Sequence, residues 1–382
     1  MPERPRVGID ATALGPQGKG IARYLDELLP RVAAFAPDAT VQPVVLAGPG
    51  ASIPAGAEAL PVVTVRARPA IRWEQLELPR VARDERLSLV HVTTDRLPVL
   101  PSVPVVLYLF EDPRYRLALA KGSRSAKLAV ADALTAVLFP RSLRKATAIL
   151  TSAEATARDI TQRGVPRERV TVIVPGVGDR FRPGDAAEIA AIRAELGLPE
   201  GYVLHFSSDD ARDNSDVALE AYARAAAACP ALPPLVIGGK VRVRQPAQQA
   251  LATSLGIGER VRWVGYQPED ALLRLYRGAA VYLDPSLFEG FGLQVAEALV
   301  SGLPVVCSDT TSLPEVVGGA GLLVAPRDVA GFADALVRVT TDPALAASLR
   351  ERAAARRAAF SWERCAEETV AVWERLCHGT PG

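Results

Sequence analysis

The chain has 382 residues, with 44 Lys and Arg against 43 Asp and Glu, so its formal net charge is +1. That balance leaves no bulk electrostatic drive toward nucleic acid, while an apolar fraction of 49 % is ample for the cores of two domains. No apolar run reaches the ~18 residues of a membrane span, and the amino terminus lacks a basic-then-apolar leader pattern, so a soluble, cytoplasmic protein is expected.

Strand and helix signals alternate along the chain, which predicts parallel sheets throughout. Residues 6–10 (RVGID) read as a strand, followed by the loop ALGPQGKG and a helix over about 21–34. Further strands are predicted at 41–47, 61–65, 88–93, 103–109, 146–151 and 171–176. The segment 176–185 (GVGDRFRPGD) is rich in Gly, Pro and charge and reads as a linker. A second alternating series begins at 202–207 (YVLHFS) and continues through 232–239, 261–265, 280–283 and 304–307. The chain ends in a predicted helix over 361–377. Cys229, Cys307, Cys365 and Cys377 lack metal-type spacing, and His91, His205 and His378 are dispersed, so no metal or cofactor is expected.

The stretch 289–297 (EGFGLQVAE) is the most informative. It places two glutamates eight positions apart around a Gly-Phe-Gly turn, between a strand and a helix start. In an open α/β sheet, ligands bind at the carboxyl ends of the strands. Gly290 and Gly292 let a ligand approach the backbone, and the N–H groups of Gly290, Phe291, Gly292 and Leu293 suit a phosphate. Glu289 can accept from sugar hydroxyls. Glu297, about one and a half turns into the helix, reaches a second hydroxyl-bearing group.

This stretch, continuing through 299–328, resembles the retaining glycosyltransferases of family four, which have the GT-B fold. Gly18 to Tyr24 (GKGIARY), RWEQLELPR (72–80), LSLVHVTTDRLP (87–98) and TSAEATARDI (151–160) resemble that family's amino-terminal stretches. The resemblance implies two doubly wound, Rossmann-like parallel-sheet domains facing an interdomain cleft. Residues 1–180 form the acceptor-side domain, 181–360 bind the nucleotide sugar, and the helix 361–382 crosses back to the first. By resemblance Glu289 contacts the donor sugar and Glu297 the nucleotide ribose, with no metal. Gly20 and Lys19 approach the donor diphosphate, and His91, at a strand end, faces the acceptor or is a buried core histidine. The partners implied are a nucleotide-diphosphate sugar and a carbohydrate, lipid or small natural-product acceptor. Many relatives use lipid acceptors, which leaves room for peripheral membrane contact, yet no strong basic amphipathic helix stands out in the sequence.

Two departures bear on activity. Relatives carry an Arg and a Lys after the strand matching 202–207; register by Asn214 puts Ser208 and Asp213 in their places, leaving Arg212 as the cation of 207–214. Lys240 and Arg242 are alternative sources of charge. Relatives also carry a His-Asp where this chain has Phe110-Glu111-Asp112, so Glu111 or Asp112 is a candidate acceptor base, or Asp112-Pro113 simply opens a turn. The pair Asp209-Asp210 is expected to face solvent rather than bind metal. The expected activity is glycosyl transfer with retention. The competing expectations are a non-catalytic nucleotide-sugar binder, or a GT-B enzyme that transfers to sulfur or nitrogen or performs pseudo-glycosyl coupling.

Overall fold

The computed structural model describes residues 3–14, 20–66, 69–119, 126–198 and 201–379. Lys19 lies outside the described residues. The chain divides into two compact units, Met1–Gly176 with Ser361–Gly382, and Val177–Phe360. The break falls at the start of the Gly/Pro-rich segment, and the rest of that segment belongs to the second unit.

Among the described residues, the first unit holds strands β1 (Arg6–Asp10), β2 (Gln42–Ala47), β3 (Val62–Thr64), β4 (Leu87–Val92), β5 (Val105–Leu109), β6 (Ala148–Thr151) and β7 (Val170–Val172). They form one sheet in the order β3-β2-β1-β4-β5-β6-β7, and every pairing is parallel. β5 (VVLYL) is buried at every position, as expected of a parallel strand covered on both faces. The second unit holds β8 (Val203–Phe206), β9 (Leu235–Gly238), β10 (Val261–Gly265), β11 (Val281–Asp284), β12 (Val305–Ser308) and β13 (Gly321–Val324). Their order, β10-β9-β8-β11-β12-β13, is again all parallel. In each unit the winding direction reverses at one place, between β1 and β4 and between β8 and β11. Such a switch point opens a crevice at the strands' carboxyl ends.

The carboxyl-terminal helix Trp362–His378 is part of the first unit, capped by Ser361 Oγ accepting from Arg364 N–H at 3.2 Å. It packs on the helix Gly20–Phe35, where Trp362 lies 5.9 Å from Tyr24 and Arg31 pairs with Glu363 at 2.8 Å. Trp373, fully buried, donates its indole N–H to Nδ1 of His91 at 3.1 Å. His91 is itself fully buried on β4, so it ties the last helix to the sheet and does not face an acceptor. The acceptor-side role expected of it gives way to the core one. A sequence offers little sign of a contact between residues 282 positions apart.

Burial holds the His91 imidazole neutral, with its pKa lowered to about 3. A histidine whose folded pKa is depressed gives up stability as pH falls below its unfolded value, because the unfolded chain then binds the extra proton. Between pH 7 and pH 5 this side chain should remove about 2 kcal/mol. Raised carboxylates elsewhere tilt the whole-protein curve the other way. The test is therefore the difference in denaturant stability between wild type and His91→Gln, which should move against wild type by that amount over this window.

Candidate functional site

The second unit's switch point is built from the loops after β8 and β11. β11 ends at Asp284, which is buried and accepts from Ser286 N–H at 3.1 Å and from the Tyr282 hydroxyl at 3.2 Å. The loop then turns so that Ser286 Oγ donates to Glu289 Oε1 at 3.0 Å. The backbone at Glu289 is clamped from the β12 side. Its N–H donates to Thr311 Oγ1 and its carbonyl accepts from Ser312 Oγ, both at 2.9 Å.

Gly292 follows in the left-handed region (φ +88) and opens the helix Leu293–Val300. A Cβ there would lie 2.6 Å from Leu313 Cδ2, so this glycine is needed for both its backbone and its packing. No side chain caps the helix start, which leaves the first-turn amides to a ligand or water. Phe291 is buried, its ring 6.0 Å from Phe360 in an edge contact, so only its backbone is suited to a donor. Gly290 is buried. Glu297 is 1 % exposed and accepts from the Tyr276 hydroxyl at 2.8 Å. Tyr276 sits among Phe181, Phe206 and Tyr282.

The loop after β8 comes to the same place. Its 3-10 turn Ala211–Asp213 docks on the Glu289 loop: the Arg212 carbonyl accepts from Leu287 N–H at 2.8 Å, and the guanidinium lies 4.9 Å over the Phe288 ring. Asp210 Oδ2 accepts from Arg212 Nε at 2.9 Å. Asn214 (φ +51) extends the clamp, donating from its amide to the Pro285 carbonyl at 2.8 Å and the Pro326 carbonyl at 2.7 Å. Asp213 accepts from the Ser208 N–H, while Ser208 Oγ accepts from Asp210 N–H at 3.1 Å. Both residues standing where relatives carry cations are thus occupied in shaping their own turn. Asp209 is exposed, but its carboxylate accepts from three backbone N–H groups, those of Arg242, Val243 and Arg244. Asp209 thus faces solvent as expected, and both residues of the Asp209-Asp210 pair also close loops. Lys240 is exposed in the same 239–244 loop.

The electrostatics follow from this crowding. Burial and then the nearby Asp284 carboxylate push the half-buried Glu289 up to about 8, against the pull of the Arg212 guanidinium. Asp213 adds to that rise and the Ser286 hydrogen bond opposes it. Burial likewise raises Asp213 to about 6; its contacts with Ser208 work the other way, and Asp210 and Asp284 reinforce the rise. Carboxyls kept in their neutral form near pH 7 can donate as well as accept, and clusters of displaced pKa values gather at functional sites. Asp284 had no role in the sequence reading, and Asn214 served only to set the register of 207–214.

The first unit's strand ends carry a different set. Asp10, buried at the end of β1, accepts from Thr12 Oγ1 at 2.7 Å and from the Trp73 indole at 3.1 Å. Trp73 opens a π-helical turn, Trp73–Glu77, in which the buried Glu74 holds Arg96 through two bonds of 2.8 and 2.7 Å. Such turns recur at functional sites. Gly20 starts its helix with open space where a Cβ would sit. Glu111 is half-buried between β5 and the next helix. Asp112 is not an acceptor-side base. Its fully buried carboxylate accepts from Arg114 N–H at 2.9 Å, from the Arg114 guanidinium and from Arg163, capping the helix Pro113–Leu119. Asp112-Pro113 thus opens a helix, with Pro at its first position.

Residues 18–180 match the family model described as Glycosyltransferase Family 4, and residues 200–342 match that described as Glycosyl transferases group 1. The chain belongs to this glycosyltransferase family. Among similar proteins is the O-antigen chain mannosyltransferase B of Escherichia coli, 31 % identical over 62 % of this chain and 62 % of the relative. The D-inositol 3-phosphate glycosyltransferase of Nocardia farcinica is 36 % identical over 59 % of this chain and 53 % of its own length. The chain thus aligns with less than two thirds of either relative. Anabaena Alr3699/HepE, solved in complex with UDP, superposes with a TM-score of 0.73 at 17 % identity, covering 97 % of this chain and 99 % of that one. The family 4 chain therefore has the GT-B fold.

Proposed function

We propose that this chain is a glycosyltransferase that moves a hexosyl unit from a nucleotide-diphosphate sugar to an acceptor, with retention at the anomeric carbon and without a metal ion, in the cytoplasm. What carries the reading is the Glu289 loop: an uncapped helix start, a raised carboxyl and the Arg212 guanidinium meet at the carboxyl ends of β8 and β11. The family membership, the glycosyltransferase activities in the relatives' names and the UDP bound by the Anabaena protein support it.

In this reading the amides of Gly290 to Leu293 take the donor's β-phosphate, in the manner of anion sites at helix starts. Glu289 orders the sugar, and Arg212 offsets charge developing on the leaving diphosphate. Glu297 holds the ribose, exchanging its Tyr276 hydrogen bond for a shared one. Acceptor contacts fall to the first unit, with Glu111 the remaining candidate base and a carbohydrate, lipid or small natural product as acceptor.

The carboxylate of Asp213, standing where relatives place a cation, favours a second reading, that of a nucleotide-sugar binder without turnover. A panel of nucleotide sugars separates the two. Release of nucleoside diphosphate from one donor, undiminished by EDTA and accompanied by a product of unchanged anomeric configuration by NMR, is the expected result. Tight binding of a donor with no release, whatever acceptor is supplied, would move the assignment to the binder.

A further inference from the structure

His205 is buried on β8, and the proposed chemistry makes no use of it. It stands where the two central strands of the second unit part. β8 pairs with β9 from Val203 to Phe206, and β11 pairs with β12 from Tyr282 to Asp284. Between β8 and β11 the ladder holds only Val203 with Val281 and Leu204 with Tyr282. His205 is the next residue on one strand and Leu283 the next on the other. There the imidazole Nδ1 lies 3.0 Å from the Leu283 carbonyl oxygen. A side chain thus continues the connection that the paired backbones leave off.

The other ring nitrogen begins a buried chain of hydrogen bonds. His205 Nε2 lies 2.9 Å from Ser215 Oγ, and Ser215 Oγ lies 2.7 Å from Ser207 Oγ. Gln248 Nε2 donates to Ser207 Oγ at 3.2 Å. Ser207, Ser215 and Gln248 are all buried. The Leu283 carbonyl fixes the polarity of this chain, because a carbonyl oxygen only accepts. Nδ1 therefore carries the proton. Burial lowers the His205 pKa and keeps the ring neutral near pH 7, so Nε2 accepts. Ser215 then donates to Nε2, Ser207 donates to Ser215, and Gln248 turns its amide N–H toward Ser207. That orientation leaves Gln248 Oε1 buried with no partner among the described residues. An orphaned acceptor is destabilising, and the fold carries it at the far end of a chain that starts at the switch point.

Three points of the chain border the candidate site. Leu283 precedes Asp284, the carboxylate that acts on Glu289. Ser207 precedes Ser208, whose N–H donates to Asp213. Ser215 opens the helix Ser215–Ala228 directly after Asn214, which donates to the Pro285 and Pro326 carbonyls. We propose that His205 is a positioning residue: by bridging β8 to β11 it fixes the spacing at which the Arg212 turn and the Glu289 loop face the donor. It touches no substrate and acts through Leu283 and Ser215. The inference rests on the transferase reading for its effect on rate. The bridge spans 78 positions of sequence, so the histidine gives no sign of it locally.

The test is a pair of substitutions in the full-length chain. His205→Asn keeps a donor at the Nδ1 position, while His205→Leu fills the space without one. His205→Leu should lower kcat for donor cleavage about tenfold or more and leave the donor KM within about threefold, because the amides of residues 290–293 are untouched. His205→Asn should recover most of that loss. A second measurement needs no turnover. With the loops parted, water enters and Asp284 draws off, so Glu289 loses the two causes that raise its pKa. The pH-dependent gap in melting temperature between Glu289 and Glu289→Gln should therefore shrink in the His205→Leu background and persist in the His205→Asn background. Circular dichroism checks that each variant is folded. His205→Gln, whose amide falls at the Nε2 position and leaves Leu283 unbridged, replaces His205→Leu if that one is not. Wild-type kcat and an unchanged gap in folded His205→Leu, or His205→Asn no better than His205→Leu in both measurements, would overturn the proposal. Absence of turnover in wild type would count against the transferase reading alone, and the melting comparison would still decide the role of His205.

Discussion

Glu289→Gln should lower turnover by about a hundredfold and at the same time raise the melting temperature above pH 8. The first effect follows from the position of the carboxyl, which is held by Ser286 at 3.0 Å on a backbone clamped by Thr311 and Ser312. A glutamine keeps the shape and one acceptor oxygen but loses the second carboxyl oxygen, so it cannot give one oxygen to the Ser286 hydroxyl and another to a sugar hydroxyl. The second effect follows from burial and the Asp284 carboxylate, which raise the Glu289 pKa to about 8. A carboxyl whose folded pKa lies above its unfolded value makes the fold less stable as pH rises between the two, and the cost is complete above the folded pKa. The neutral amide escapes that cost. Wild type and variant should therefore melt together near pH 4 and separate progressively toward pH 8. A residue that costs stability where activity is needed is expected of a site kept for function. Equal turnover would remove Glu289 from the site, and a gap in melting temperature independent of pH would remove the electrostatic explanation.

Arg212→Ala should reduce turnover at least about tenfold, chiefly through weaker stabilisation of the leaving diphosphate. The guanidinium is placed by contacts that include the Asp210 carboxylate at 2.9 Å and the Phe288 face at 4.9 Å. Arg212→Lys should restore only part of the loss, because an ammonium cannot reproduce the planar, stacked geometry. Removing the charge should also shift the alkaline limb of the pH–rate profile upward, since Arg212 is the neighbour that pulls the Glu289 pKa down. Unchanged kinetics and an unchanged profile would transfer the phosphate role to another cation, with Lys240 the first to test.

The parallel architecture was legible in the sequence because period and punctuation agreed. The run RVGID became β1, and the apolar run before Asp284-Pro285 became β11. Glu289 and Glu297 stood out because a Gly-Phe-Gly turn at a strand end has few uses. What the sequence concealed depends on partners distant in the chain. Asp112 was open between an acceptor base and a turn-opening residue until Arg163, fifty-one positions later, closed on it. His91 was open between an acceptor-facing and a core role until the Trp373 indole took its ring nitrogen. Gly292 was assigned to ligand clearance, whereas its left-handed backbone and Leu313 already require it. In each case the residue type was informative and the contact that decides its role was not local.

The most direct measurement is a crystal structure of the protein soaked with the nucleoside diphosphate that a binding panel selects. The account predicts the diphosphate against the backbone N–H groups of residues 290–293, with the ribose at Glu297 and the Arg212 guanidinium facing the phosphates. Density that lies away from the turn following β11, with those amides unoccupied, would contradict it.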